Sequence, residues 1–311
     1  GNLNNHIGVP LSILSVTSDC EIAIIEMGAN HQQEIAFLCS IAQPSHGMIT
    51  NIGKAHLEGF GGIEGVRIGK GELYEYLYKS GGIVFLNDDD QTLSNMARER
   101  GLVQTVGYGA GDNNFVSARL KNSSPCLSID WNLLGQSKHT AFSNLPGIYN
   151  FDNICAAICI GVYFNLSPEK INKGIHLYKP LNNRSQILET PNNTIICDYY
   201  NANPSSMIVA LENLEATEAK SKVMILGDMF ELGEESANEH RLILEKALLT
   251  KAQRRIFIGE EFYKLRGLED SEFYKNTSQA LEALNQHSVK KSTILLKGSR
   301  GMKLESLLNL L

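Results

Sequence analysis

The chain reads as an α/β protein in two parts. Three observations predict this: short apolar runs alternate with amphipathic segments, several of the runs end in glycine or a polar residue, and the alternation restarts after an interruption near residue 180. "EIAIIEMG" (21–28) and "GMITNIG" (47–53) read as buried strands ending in glycine. "GVRIGKGELYEYLYKS" reads as a helix with Leu73, Tyr76 and Leu77 on one stripe. Strand "GGIVFLNDDD", helix "QTLSNMARER" and strand "VQTVGYG" follow. From about 115 to 144 the pattern changes to segments resembling antiparallel strands with polar turns: "FVSARLK", "CLSIDWNLL" and "KHTAFSNL". Two helices then come, "YNFDNICAAICIGVYF" and "SPEKINKGIHLY", the second opened by Ser-Pro.

Proline and paired asparagines in "YKPLNNRSQ" (178–186) mark a boundary, drawn as 1–181 and 182–311. After it come strand "TIICDYYNANP", helix "SSMIVALENLEATEA", strand "KVMILGDM", helix "ANEHRLILEKALLT", strand "RRIFIGE", helix "TSQALEALNQH", strand "TILLKGS" and helix "MKLESLLNLL". This second series is that of a Rossmann-like domain. Ser205 is the expected N-cap of its first helix.

Composition narrows the function classes. The 311 residues are 43% hydrophobic and 20% charged, ordinary for a globular protein, and a net charge of -6 gives no bulk attraction to nucleic acid or anionic membrane. No apolar run reaches transmembrane length, and "GNLNNHIGVP" is not a signal peptide. The chain starts at Gly1 rather than Met, as a processed or truncated chain would. Cys20, Cys39, Cys126, Cys155, Cys159 and Cys197 include no Cys-x-x-Cys pair and mostly sit in apolar runs, so they read as buried free thiols of a reducing, cytoplasmic compartment.

Candidate chemistry lies at the ends of the apolar runs. Gly69-Lys70 looks like half of a phosphate-binding loop, but the pattern needs glycine where Glu64 stands and Ser or Thr where Gly71 stands. On the letters alone Lys70 is a solvated helix lysine. Glu26 ends one apolar run and His56 follows another. Each is either a loop-bonding side chain or, taken with the other, a ligand of a hard cation, Mg²⁺ if phosphate is involved. "DYYNANPSSM" (198–207), "GDMFELG" (227–233) and "KGSRG" (297–301) repeat strand, then polar loop. Three of them on one sheet edge suggest a ligand-facing rim.

These stretches together resemble the Mur ligase family, through "GNLNNHIGVPL", "EMGANHQQEI", "TNIGKAHLEGFG", "GKGELYEYL", "LPGIYNFDNICAA", "NRSQ", "DYYNANPSSM", "LGDMFELG" and "LKGSRGMKLE" in family order. "YNANPSSM" with "GDMFELG" points to the member that adds a D-alanyl-D-alanine dipeptide rather than a single amino acid. The resemblance implies an incomplete central ATPase domain of the P-loop type, with a mainly parallel sheet, followed by a Rossmann-like ligase domain. A sugar-nucleotide-binding domain and the phosphate loop are expected upstream of Gly1, and without them the chain is expected to be inactive by itself. It implies ATP and Mg²⁺ as cofactors, UDP-MurNAc-tripeptide and D-Ala-D-Ala as substrates, and a monomer. Glu26, His56 and Lys70 match the Mg²⁺ side, with Lys70 as a carbamate. Asn150 and Asn153 match adenine contacts; Arg184 and Asp198 match residues reaching the γ-phosphate and ribose. Asn201 matches a position near the reacting phosphate, Asn30 and His31 resemble the acceptor site, and Lys297 and Ser299 resemble the dipeptide loop. The implied reaction passes through an acyl phosphate of the peptide carboxylate, attacked by the dipeptide amine. Other readings stay open: another Mur-type amino-acid ligase, a folylpolyglutamate synthetase relative, or a non-catalytic binding module without a phosphate loop.

Overall fold

In a computed structural model the described residues are 3–54, 56–123, 126–180, 183–267 and 271–311. They form two compact units, one of residues 1–119, 130–139 and 152–171 and the other of 120–129, 140–151 and 172–311. The expected division between 181 and 182 lies outside the described residues.

The first six-stranded sheet has its strands in chain order: β1 (His46–Gly47), β2 (Ile83–Asn87), β3 (Thr105–Gly109), β4 (Val116–Asn122), β5 (Ser128–Leu133) and β6 (His139–Phe142). The pairs from β1 to β4 are parallel. Its helices are α1 (Gly8–Leu14), α2 (Glu34–Ala42), α3 (Leu57–Phe60), α4 (Ile63–Ser80), α5 (Gln91–Glu99), α6 (Asn150–Tyr163) and α7 (Pro168–Leu177). Leu73, Tyr74 and Leu77 of α4 join Leu38 and Cys39 of α2, Val84 and Leu86 of β2, and Leu93 and Met96 of α5 in one core. The α4 sequence stops where Gly81 takes a left-handed φ of 69°, a conformation that favours glycine. Helix α5 starts where the Asp90 carboxylate accepts from the Thr92 and Leu93 N–H groups.

The second sheet runs β11-β10-β9-β12-β8-β7, with β7 (Gln186–Glu189), β8 (Thr194–Asp198), β9 (Lys222–Gly227), β10 (Arg254–Ile258), β11 (Glu272–Tyr274) and β12 (Thr293–Lys297). All pairs are parallel except the edge pair β7–β8. Helices α8 (Pro204–Ala216), α9 (Ser236–Leu249), α10 (Glu260–Lys264) and α11 (Thr277–Gln286) accompany it. Ile195, Ile225, Ile256 and Ile294 line its core with Leu284 of α11. Parallel order places the loops after β8, β9 and β12 on one edge, where open α/β sheets bind ligands.

Several expectations are corrected. Residues 21–28 belong to no strand, and Ile24 is 86% exposed. An apolar run becomes a strand only with a ladder partner. Here the described residues supply one backbone bond, from the Gly28 N–H to the Asn4 carbonyl at 2.8 Å. The 47–53 run pairs only at its start, in β1. The C-terminal "MKLESLLNLL" forms two 3₁₀ stretches (Arg300–Met302 and Leu304–Leu310) instead of an α-helix. Lys303 at φ 53° interrupts them, and the buried Leu304 and Leu307 stand three apart, the 3₁₀ repeat. The cap of α8 is Asn203, not Ser205: its side chain accepts from the Ser206 N–H, and the Ser206 hydroxyl accepts from the Asn203 N–H. The short elements α1, α2, β7, α10 and β11 were not anticipated from the letters. All six cysteines are free, four of them buried, as expected.

Asn203→Ala is expected to cost about 1 kcal/mol of stability. Urea denaturation of the two proteins checks it; equal midpoints would mean that the cap contributes nothing.

Candidate active site

In the first unit the site is built on α4. The glycine-rich run before Lys70 is a packing device. A Cβ on Gly65 would lie 1.8 Å from the Phe60 carbonyl oxygen, and one on Gly69 would lie 2.5 Å from the Phe60 ring. Glycines at i and i+4 therefore let α3 press onto α4, which carries the 51–60 loop down to Lys70. The Lys70 Nζ donates to the Asn51 carbonyl at 2.8 Å. Burial pushes its pKa down, because a desolvated ammonium is disfavoured against the neutral amine. Lys70 is thus not the solvated helix lysine that its letters alone indicate. His56 caps α3 from the left-handed region at φ 54°, a costly conformation for a non-glycine residue and one that clusters at functional sites.

Two residues after Lys70, Glu72 is buried and reaches the other loop. Its carboxylate accepts from the Gln33 N–H at 2.5 Å and the Ala36 N–H at 2.9 Å, at the N-terminus of α2, where negative charge is favoured. Glu34 accepts from the Asn30 and His31 N–H groups at 2.8 and 3.0 Å. Gly59 leaves room for the Asn30 carbonyl, which would sit 2.2 Å from a Cβ there, with His31 Nε2 at 3.4 Å. The 30–31 loop, the 51–60 loop and Lys70 are therefore one assembly. Glu26 stands just before it, exposed, and accepts from the Asn4 Nδ2 at 2.9 Å. Neither Glu26 nor His56 ends a strand as expected, since the runs before them are mostly unpaired.

Whether this chemistry suits Mg²⁺ can be judged from the donors. Among the described residues no group of three or more His, Cys, Asp or Glu is placed to hold a metal ion. Glu26 and His56 alone are too few. A carbamate on Lys70 would add an anionic oxygen of the type hard cations take, and Mg²⁺ commonly fills its remaining positions with water and substrate phosphate. The donors fit on that condition.

In the second unit the strand ends carry a buried charge pair. Asp198 and Lys297 are register partners closing β8 and β12. Lys297 is 1% exposed; its Nζ donates to Asp198 Oδ2 at 2.7 Å and the Asn201 carbonyl at 3.3 Å. Removing one member of a buried pair costs roughly 3–5 kcal/mol, so this contact sets the loop geometry. Asp198 Oδ1 accepts from the Ser185 N–H at 3.2 Å. Arg184 lies between two left-handed residues, Asn183 (φ 57°) and Ser185 (φ 55°), and stacks its guanidinium 4.1 Å from the Tyr200 ring centroid. Asn201 is exposed, and its Oδ1 accepts from the Ala202 N–H at 2.8 Å. Ser299 is 3% exposed. Asn150, which opens α6, is buried and donates to the Pro146 carbonyl at 2.8 Å. Asn153, less than one turn on and in the first unit, is exposed.

Sequence reasoning missed Glu72 and Asn51. Glu72 had a signal: an acid inside the apolar stripe of α4. Asn51 acts through its backbone, which no letter reveals.

Two mainly parallel α/β units, each gathering polar loops beside its sheet, have the arrangement with which open α/β folds bind ligands. The chain belongs to the Mur ligase family: residues 1–161 match the Mur ligase middle domain, and 183–300 match the Mur ligase, glutamate ligase domain. It is similar to the UDP-N-acetylmuramoyl-tripeptide–D-alanyl-D-alanine ligase of Bacillus subtilis, 33% identical over 99% of this chain and 68% of that protein. It is also 30% identical to the Escherichia coli ligase of the same name, over 100% of this chain and 70% of that one. The crystal structure of MurF from Acinetobacter baumannii superimposes with a TM-score of 0.88 at 28% identity, over 99% of this chain and 68% of that one.

The lowered pKa of Lys70 fixes the sign of a pH effect. A lysine whose folded pKa lies below its unfolded value of about 10.4 burdens the fold most at low pH; the burden lifts as pH rises from the folded value towards the unfolded one. In CO₂-free buffer, stability should therefore rise more in the wild type than in Lys70→Met as pH climbs towards about 10. Parallel curves from chemical denaturation would contradict the burial of this amine.

Proposed function

We propose that the protein is the ATP-dependent ligase that joins D-Ala-D-Ala to UDP-MurNAc-tripeptide, in peptidoglycan precursor synthesis. The observation that carries the reading is Lys70: a half-buried amine on α4 that donates to the Asn51 carbonyl, in the loop that leads to His56, at the position where the family resemblance calls for a carbamate. A neutral amine adds CO₂ to form a carbamate and releases a proton, so the lowered pKa is the property that the modification needs. The sequence relatives act on the same pair of substrates by name. A Thermotoga maritima MurF ligase of the same fold has been solved in complex with ADP, which agrees with ATP as the phosphoryl donor.

On this reading Glu26, His56 and the Lys70 carbamate hold Mg²⁺, which when bound offsets the repulsion between the peptide carboxylate and the phosphates. Asn30 and His31, whose N–H groups Glu34 holds, face the acceptor peptide. Arg184 and Asp198 serve the γ-phosphate and ribose, Asn150 and Asn153 the adenine, and Asn201 the reacting phosphate. The 182–311 segment acts as the ligase domain and 1–181 as part of the ATPase domain. No segment of the described residues forms a helix long and apolar enough to cross a membrane, and a cytoplasmic monomer fits substrates of this polarity.

The test is phosphate release by the full-length protein with ATP, Mg²⁺, UDP-MurNAc-tripeptide and D-Ala-D-Ala. Release should require the dipeptide and fall at least about 100-fold in Lys70→Ala, the scale expected for losing preorganised charge stabilisation. Activity with a single amino acid and none with the dipeptide would refute the assignment. Undiminished turnover in Lys70→Ala would refute the carbamate.

A further inference from the structure

The loops after β8, β9 and β12 are joined by side chains whose functional groups face inward. Strand β12 lies between β9 and β8, and Ser299, two residues past its end, bonds to both neighbours. Its hydroxyl oxygen accepts from the Phe230 N–H at 2.9 Å on the β9 side and donates to the Ala202 carbonyl, at a long 3.4 Å, on the β8 side. The Ser299 N–H donates to the Asp228 carbonyl at 3.1 Å. The strand ends approach closely enough that a Cβ on Gly298 would lie 2.9 Å from the Gly227 Cα. His240 of α9, fully buried, braces the β9 loop from behind. Its Nε2 accepts from the Met229 N–H at 3.0 Å, and its Nδ1 donates to the Ser236 carbonyl at 2.7 Å. This pair of bonds assigns the neutral tautomer with the proton on Nδ1. The Asp228 carboxylate, 3.6 Å from Nε2, is satisfied instead by the Glu261 and Phe262 N–H groups at 2.9 and 3.0 Å.

The outward groups differ. Phe230 is 48% exposed, and its ring covers Gly301, where a Cβ would lie 2.5 Å from the ring. Arg300, one residue before Gly301, is exposed, with its Nη1 3.4 Å from the Glu305 carboxylate, a partner for which a substrate carboxylate would compete. An aromatic face next to a cation suits a small substrate that carries both a methyl group and a carboxylate.

We propose that Ser299 and His240 are positioning residues, and that the latch they form presents Phe230 and Arg300 as the surface that selects the amine substrate. The inference rests on the ligase reading above for the identity of that substrate. It changes the role of Ser299, whose buried hydroxyl has both bonding directions taken by the neighbouring loops and acts on the dipeptide through Phe230. The latch predicts a split: loosening it weakens binding of the amine substrate and leaves the nucleotide largely untouched.

The test uses the full-length protein and the variants Ser299→Ala, His240→Leu, His240→Gln and Phe230→Ala. Amide exchange at Phe230 should speed up at least about tenfold in Ser299→Ala, since its acceptor is lost. The KM for D-Ala-D-Ala should rise about tenfold in Ser299→Ala and Phe230→Ala, with the KM for ATP within about twofold. His240→Leu should loosen the Met229 amide; His240→Gln, which keeps an acceptor, should restore its protection and the dipeptide KM. Unchanged exchange at Phe230 in Ser299→Ala would overturn the latch even if His240→Leu fails to fold. Faster exchange with an unchanged dipeptide KM, or equal rises in both KM values, would overturn its role in selection. If the wild type shows no dipeptide-dependent turnover, the ligase reading fails, and with it the substrate assigned to the latch; the exchange result then decides the latch alone.

Discussion

The first unit depends on the partial burial of one lysine amine. Lys70 sits on a helix whose neighbours come close because Gly65 and Gly69 offer no Cβ to hold Phe60 away. That approach brings the 51–60 loop over the amine and gives it a backbone carbonyl as partner. Burial and the carbonyl pull in opposite directions: desolvation favours the neutral form, while the carbonyl accepts a hydrogen bond that a charged amine would also donate. Desolvation prevails, as the direction of the pKa shift shows. Such an amine is chemically available, and the loop whose carbonyl holds it also carries His56.

The second unit solves a different problem by similar means. Its sheet edge must hold polar loops in one arrangement close to solvent. The Lys297–Asp198 pair supplies one fixed point, with the lysine in the interior and the carboxylate completed by the Ser185 amide. Breaking either side would strand a charge, so the pair confines the loops more firmly than an exposed ion pair could, since exposed pairs are worth only about 0–1 kcal/mol. Surface pairs such as Lys246–Glu212 are of that weaker kind. Burial also pushes the Asp228 carboxyl up against the opposing pull of the Glu261 and Phe262 amides, so much of the edge's electrostatics is spent internally.

Much of this was legible in the letters, for identifiable reasons. Period-3.6 apolar stripes located α4, α5 and α9, and compact apolar runs located β2, β8, β9, β10 and β12, because those elements bury the faces their patterns mark. The runs at 21–28 and 48–53 misled because hydrophobicity signals burial, whereas a strand also needs a partner for its backbone. The glycine-rich stretch before Lys70 was read correctly as a failed phosphate loop. Its positive purpose is helix packing, which shows only when Phe60 is seen against Gly65 and Gly69. Lys70 itself was misjudged on letters alone, because exposure depends on what a distant loop covers. The family resemblance proposes a role for it, and the lowered pKa is the property that role needs. Ser299 and Lys297 stood out as polar residues after a strand, but their inward direction could not be read from sequence.

The central claim is that the Lys70 amine is converted to a carbamate. Carbon-13 NMR of the full-length protein equilibrated with ¹³C-bicarbonate tests it most directly. The account predicts one protein-bound carbamate carbonyl signal that strengthens with bicarbonate and is missing in Lys70→Ala. No such signal in the wild type, or one that persists in Lys70→Ala, would contradict it.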